Sequence, residues 1–220
     1  MTKNIPLKSN LDEANRARAQ TIRESLAHHR VLAVNLIGSP GCGKTTLLES
    51  TIPRLPELRS AVIEGDIATT RDADRIRVLG IPAVQINTGG ACHLLAPLVE
   101  EALKQLNIEA MDILFIENVG NLVCPSTADL GEDFKIAVLS VPEGDDKVAK
   151  YPRLFREASC VLLNKIDLAG LLHFDVERVR GDLACIKAGL PMIELSASTG
   201  TGLDAWLEWL RARRREKNKS

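Results

Sequence analysis

Seven short apolar runs recur along the chain, separated by turn-forming clusters and by stretches with helical spacing. The first, Val31-Leu32-Ala33-Val34-Asn35-Leu36-Ile37, is nearly continuous, as a strand buried on both faces must be. The others are Ala61-Val62-Ile63-Glu64, Ala83-Val84-Gln85-Ile86, Ile113-Leu114-Phe115-Ile116, Ile136-Ala137-Val138-Leu139, Val161-Leu162-Leu163 and Met192-Ile193-Glu194-Leu195. Between them, residues 70–79, 93–106, 174–187 and 202–214 carry apolar side chains at the period of an amphipathic helix. Residues 11–29 predict a polar lead-in helix ending at His28-His29-Arg30. Strands and helices alternating in this way predict an α/β fold, a mostly parallel β-sheet with helices on both faces. Ligands of such a sheet sit at the C-terminal ends of its strands.

One octapeptide lies at such an end. Gly38-Ser39-Pro40-Gly41-Cys42-Gly43-Lys44-Thr45 matches G-x-x-x-x-G-K-[ST], follows the first strand, and runs into the helix-forming Thr46-Leu47-Leu48. The glycines let the backbone curl round a phosphate with its N–H groups turned inward beside a helix N-terminus. Lys44 can reach the β- and γ-phosphates, and the Thr45 hydroxyl can join Mg²⁺. The pattern therefore predicts a single P-loop NTPase domain over residues 31–210, with 1–30 as a helical lead-in and 211–220 as a basic tail. That tail, Arg211 to Ser220, reads as a solvated, fraying helix end.

Composition narrows the setting. The chain has 220 residues, 45% of them hydrophobic, which is enough for a full core, and a formal net charge of −1. Such a balance gives no field that would draw the chain to nucleic acid or to an anionic membrane. The N-terminal Met1-Thr2-Lys3-Asn4-Ile5-Pro6 lacks the apolar stretch of a signal peptide, and no apolar run is long enough to cross a bilayer. Five scattered cysteines point to thiols rather than to a disulfide framework, and so to the cytoplasm.

The base is addressed by Asn164-Lys165-Ile166-Asp167, which follows the strand Val161-Leu162-Leu163 and matches N-K-x-D. A carboxylate at Asp167 can accept hydrogen bonds from N1–H and from the exocyclic amine of guanine. Adenine offers neither donor there, and losing such charged hydrogen bonds costs about 1.5–3 kcal/mol each. Lys165 would lie along the ring and Asn164 would brace the loop. Further on, Ser196-Ala197-Ser198 resembles the loop whose Ala197 N–H would face guanine O6. These features select GTP.

On the γ-phosphate side, Glu117-Asn118-Val119-Gly120 follows a strand where many GTPases carry D-x-x-G. Glu117 and Asp66, the latter closing Glu64-Gly65-Asp66, are candidates for the Mg²⁺ side, and the Gly120 N–H for the γ-phosphate. The same carboxylates would also serve as helix N-caps. Thr69-Thr70-Arg71-Asp72 is polar enough for a switch segment. Asn121, not glutamine, follows Gly120, so no side chain is marked to orient the attacking water, and hydrolysis is expected to be slow.

Cys92-His93 and Cys124 both leave C-terminal strand ends. Thiolate and imidazole suit Zn²⁺ or Ni²⁺, but two cysteines and one histidine make an incomplete tetrahedral site. Spacing alone leaves open whether they hold metal or are small buried hydrophobes. Cys160 and Cys185 sit on apolar strand and helix patterns and read as buried; Cys42 fills a loop position that needs a small residue. His28, His29 and His173 read as surface residues.

Several strings together resemble the hydrogenase nickel-incorporation GTPases, the HypB family, over residues 30–210. They are the P-loop through Thr46, Glu64-Gly65-Asp66, Asn87-Thr88-Gly89-Gly90-Ala91-Cys92-His93-Leu94, Glu117-Asn118-Val119-Gly120-Asn121-Leu122-Val123-Cys124-Pro125 and Glu143-Gly144-Asp145-Asp146-Lys147. The resemblance implies that Cys92, His93 and Cys124 bind nickel or zinc at a GTP-stabilised homodimer interface, near which Lys147 also falls. It implies a HypA-type nickel metallochaperone and the large subunit of nickel–iron hydrogenase as partners. It also strengthens Asp66 and Glu117 as Mg²⁺-side residues. Many relatives carry an N-terminal cysteine-rich metal motif; Met1 to Asn10 has none. A urease-type nickel GTPase carries Cys-Pro-His, whereas Ser126 follows Cys124-Pro125 here. A GTP switch without transition metal and a P-loop small-molecule kinase are the remaining alternatives.

Overall fold

The computed structural model describes residues 7–66 and 71–219. In chain order its elements are α1 (Leu7–His28), β1 (Leu32–Gly38), α2 (Lys44–Thr51), β2 (Ser60–Asp66), α3 (Arg71–Arg77), β3 (Ala83–Asn87), α4 (Ala96–Leu103), β4 (Ile113–Glu117), α5 (Cys124–Thr127), β5 (Phe134–Ser140), α6 (Lys147–Lys150), α7 (Pro152–Glu157), β6 (Cys160–Asn164), α8 (Val176–Ile186), β7 (Met192–Glu194) and α9 (Leu203–Lys217), with short 3₁₀ turns between some of them. Among the described residues the seven strands form one parallel sheet in the order β3-β2-β4-β1-β5-β6-β7. Each of the seven apolar runs became a strand. Three short helices, α5, α6 and α7, stand where no helical period is legible, because four to six residues are too few to display one.

Alternation along β1 builds the two faces of the core. Leu32, Val34 and Leu36 pack with Leu47 and Leu48 of α2 and with Trp206, Leu207 and Leu210 of α9. Ala33 joins Ile63 and Ile116 against α1 and α4, and Ile37 joins Leu139 and Leu163 against α7 and α8. Both surfaces of the sheet are covered, as a parallel sheet requires. In α1, Asn15, Ala19, Ile22 and Leu26 fall on one stripe and are buried. In α9, Leu203, Trp206, Leu207 and Leu210 do the same, and the Trp206 indole N–H donates to Thr51 Oγ1 at 3.1 Å.

Two expectations need correction. Cys185 is exposed, not buried: on α8 the inward stripe runs through Val179 and Leu183, and Cys185 lies about 200° round the helix from Leu183. The basic segment after residue 210 is not a solvated end. It continues α9 to Lys217, where Arg214 pairs with Asp112 at 3.0 Å and Lys217 with Asp133 at 2.6 Å, with 12% and 14% of their side chains exposed. Cations in the last turns complement the helix dipole while they reach carboxylates at the N-terminal edge of the sheet. The position proposed for a switch, Thr69-Thr70 with the side chains of Arg71 and Asp72, lies outside the described residues.

Candidate nucleotide and metal sites

The C-terminal ends of β1, β2, β4 and β6 open onto one cleft of about 430 Å³. Its floor is the P-loop. Gly43, at φ 98°, is the left-handed residue that turns the loop into α2, and a Cβ there would lie 2.5 Å from Asn164 Nδ2. Only glycine satisfies both demands. Lys44 lies almost fully buried along the loop, its Nζ donating to the Gly38 and Ser39 carbonyls at 3.4 and 3.5 Å. Those are long contacts for an ammonium, and an arriving phosphate can replace them. Cys42 is enclosed under the loop, and burial pushes its thiol up to about 11. It is therefore a packing residue and neither ligand nor nucleophile.

Acidic groups gather opposite Lys44. The Thr45 hydroxyl donates to Glu117 Oε1 at 2.9 Å, joining the P-loop helix to the end of β4. Glu64 stands directly across from Glu117 in the β2–β4 register, is 3% exposed, and lines the cleft together with Asp66. The sequence marks Asp66 and not Glu64, which lies two residues before it on the same strand face. Arg75 of α3 also lines the cleft, pairing with Glu49 and donating to Thr46 Oγ1 at 3.0 Å; no motif marked it. A hydroxyl with three carboxylates beside a phosphate loop is a hard-oxygen donor set that fits Mg²⁺. Gly120 closes the cleft against Pro40, where a Cβ would approach the proline Cγ to 2.8 Å.

Asn164 ties the base-side loops together. Its Nδ2 donates to Cys42 O at 2.9 Å, and its Oδ1 accepts from the Lys165 and Ala197 N–H groups at 2.8 and 3.0 Å. Ser50 adds a second tie, donating to Ala197 O at 2.6 Å. Lys165 adopts φ 60° and reaches Gly41 O at 2.7 Å. Asp167 is left exposed on the loop and Ser196 fully buried beneath Ala197, so the carboxylate faces outward from a braced base.

The chain also brings Cys92, His93 and Cys124 together, with one ligand atom from each lying within 4.8 Å of the others. Cys92 Sγ is 3.5 Å from His93 Nδ1. A hydrogen shared with Cys124 holds the Cys92 thiol above its ordinary range, and partial burial holds the His93 imidazolium below its own. Burial thus favours the neutral imidazole that a metal ligand must be, and binding of a soft or borderline ion would release thiol protons. Residues 93–95 leave the helical pattern expected over 93–106 and form, with Cys92, the bend that carries two of the three ligands; α4 begins only at Ala96.

The comparisons with known proteins agree with this geometry. Residues 32–194 match the family described as CobW/HypB/UreG, nucleotide-binding domain. The hydrogenase maturation factor HypB of Escherichia coli strain K12 is 51% identical over 208 residues, which span 93% of this chain and 70% of that protein. The crystal structure of HypB from Helicobacter pylori in complex with nickel is 40% identical, with a TM-score of 0.89 over 92% of this chain and 96% of that one. That of the hydrogenase maturation factor HypB from Archaeoglobus fulgidus is 39% identical, with a TM-score of 0.86 over 92% and 99%. A P-loop with a braced base side, its acid cluster, and the likeness along nearly the whole sheet lead to one assignment: the chain belongs to the CobW/HypB/UreG family, as a HypB-type P-loop GTPase.

Proposed function

We propose that this chain is a GTP-hydrolysing metallochaperone that binds nickel and assists its insertion during nickel–iron hydrogenase maturation. One observation carries the reading. The segment from Glu117 to Cys124 begins against Thr45 of the phosphate loop and ends at the metal trio, so one short loop belongs to both sites. The names of the relatives, hydrogenase maturation factors among them one solved with nickel, support the same conclusion.

In this reading Lys44 and the P-loop N–H groups hold the β- and γ-phosphates, Asp167 with Lys165 and the Ala197 N–H select guanine, and Gly120 senses the γ-phosphate. Thr45, Glu117, Glu64 and Asp66 would hold Mg²⁺, which would neutralise charge developing between the phosphates. Cys92, His93 and Cys124 bind the cargo, nickel or zinc. Hydrolysis by the isolated chain is slow, on the order of 10⁻³ s⁻¹ or below, as for GTPases without an assisting group. Asn121 stands where a water-orienting glutamine would, and its amide is engaged with Cys92 O and the Val123 N–H instead. GTP favours a homodimer, a HypA-type protein donates nickel, and the hydrogenase large subunit receives it in the cytoplasm. Among the described residues no helix is long and apolar enough to cross a membrane. GTP and nickel oppose each other's effects or reinforce them by one coupling energy, since linkage is reciprocal.

The test is elemental analysis of nickel per chain with a non-hydrolysable GTP analogue, for the native protein and Cys92→Ala, alongside GTP turnover. Nickel present in the native chain, lost in the variant, and turnover retained in both are expected. No nickel in either would leave a GTP switch without transition metal.

A further inference from the structure

The two sites need a physical link, and two asparagines form one. Asn118, directly after Glu117, is 1% exposed. Its Oδ1 accepts from the Leu94 N–H at 3.2 Å and from its own neighbour Val119 N–H at 3.0 Å. Its Nδ2 donates to Asn35 Oδ1 at 3.3 Å, and Asn35 Nδ2 donates in turn to Glu132 Oε1 at 3.0 Å. Asn35 is a polar residue in the middle of a strand buried along its whole length, and this ladder is what satisfies it. Leu94 immediately follows Cys92-His93, and its side chain fills the space a Cβ on Gly65 would take, at 2.8 Å. Gly65 stands between Glu64 and Asp66. The residue that anchors the metal loop is therefore fixed by its N–H to the end of β4 and by its side chain to the end of β2.

Asn121 makes a second tie. Its N–H donates to Gly38 O at 3.0 Å, at the start of the P-loop, and its Nδ2 reaches Cys92 O at 3.4 Å. Between the two asparagines lies Gly120, in contact with Pro40 of the P-loop. A shift of this loop when the cleft fills would leave the Leu94 N–H buried without an acceptor unless Leu94 moved with it. Cys92 and His93 would move as well, while Cys124 travels with the loop itself.

We propose that Asn118 and Asn121 are the positioning residues that transmit nucleotide state to the Cys92–His93–Cys124 site. The proposal rests on the GTP-and-nickel reading above and assigns its coupling to two side chains outside the three candidate metal ligands, Asn118 itself lining the nucleotide cleft. Asn118 carries most of the link, since it is buried and acts through the anchor of the metal loop. Asn121 carries less, through one longer bond.

The experiment is titration of nickel(II) into protein loaded with GDP or with a non-hydrolysable GTP analogue. It reads both affinity and the near-ultraviolet thiolate-to-nickel charge-transfer band, for the native chain, Asn118→Ala and Asn121→Ala. In the native chain the two nickel affinities should differ by about fivefold or more, the span of ordinary allosteric coupling. The band should differ between the two states. In Asn118→Ala the ratio should fall to within about twofold and the band should stop responding, with nickel stoichiometry retained; Asn121→Ala should lie between. Asn121 is only half-buried, so its variant decides the matter if Asn118→Ala does not fold. A native ratio preserved in the variants would overturn the asparagine assignment and leave the coupled reading standing. A native ratio of one, with nickel bound, would overturn both.

Discussion

Replacing Asn164 with alanine removes three hydrogen bonds at once, to Cys42 O, the Lys165 N–H and the Ala197 N–H. The side chain is 1% exposed, so water does not simply take its place. At about 1 kcal/mol net for each bond, the loss is about 3 kcal/mol. For a chain of this size that lowers the melting temperature by roughly 6–12 °C. The three loops it joins are the phosphate loop, the base-selecting loop and the loop of Ala197, so part of the cost falls on binding instead. If all of it did, GTP affinity would drop about 150-fold, since each 1.4 kcal/mol is tenfold. Ser50→Ala sets the scale: it removes one bond to Ala197 O and should cost about 1 kcal/mol. The assays are thermal melting without nucleotide and titration with a fluorescent GTP analogue. A variant that melts within 2 °C or so of the native chain and binds GTP within about twofold would refute the bracing role, and with it the present account of how Asp167 is aimed.

Asp167→Asn should weaken GTP by about tenfold or more and admit xanthine nucleotide, read by competition titration; unchanged GTP affinity would remove the guanine assignment. Alkylation at pH 8 followed by mass mapping should modify the exposed Cys185 and Cys92 and leave Cys42 and Cys160 intact, since burial pushes those two thiols up to about 11 and about 12. Modification of Cys42 as fast as Cys185 would mean an open P-loop. Asp112 receives hydrogen bonds first from Arg59 and also from Arg214, which hold its carboxyl well below the usual range. A depressed folded value adds stability above the ordinary carboxylate pKa of about 3.9 and loses it as pH falls below that. Asp112→Asn should therefore melt lower than the native chain at pH 7, with the gap closing below about pH 3, and a constant gap would contradict the sign.

Most of the sheet was legible because parallel strands buried on both faces leave near-continuous apolar runs, and β1, β4, β5 and β6 are such runs. The P-loop and the Asn164–Asp167 loop were legible because each is a contiguous string whose chemistry needs fixed neighbours. What escaped depends on juxtaposition. Glu64 gains meaning only once β2 lies beside β4 and sets it across from Glu117. Arg75 matters because α3 turns back over α2 to Glu49 and Thr46. Asn35, inside an apolar run, is explained only by Asn118 and Glu132, 83 and 97 residues away. The basic end of α9 misled for the same reason: its charge is local, while the acids that receive it, Asp112 and Asp133, are distant in sequence.

The metal trio differs in kind from a structural site. A closed tetrahedral zinc centre takes four protein ligands and holds them rigidly. Here three ligand atoms gather within 4.8 Å at the rim, with Cys92 exposed and His93 and Cys124 half-buried. An ion bound there by these three keeps a coordination position for a donor from outside, which is the opening that transfer between proteins requires. Two of the ligands sit on the loop that Leu94 anchors to the ends of both β2 and β4, and the third on the loop that begins at Glu117, so both halves of the site are tied to the end of β4. The three candidate ligands are thus tied to the rim of the nucleotide cleft, while the seven-stranded core beneath is covered on both faces.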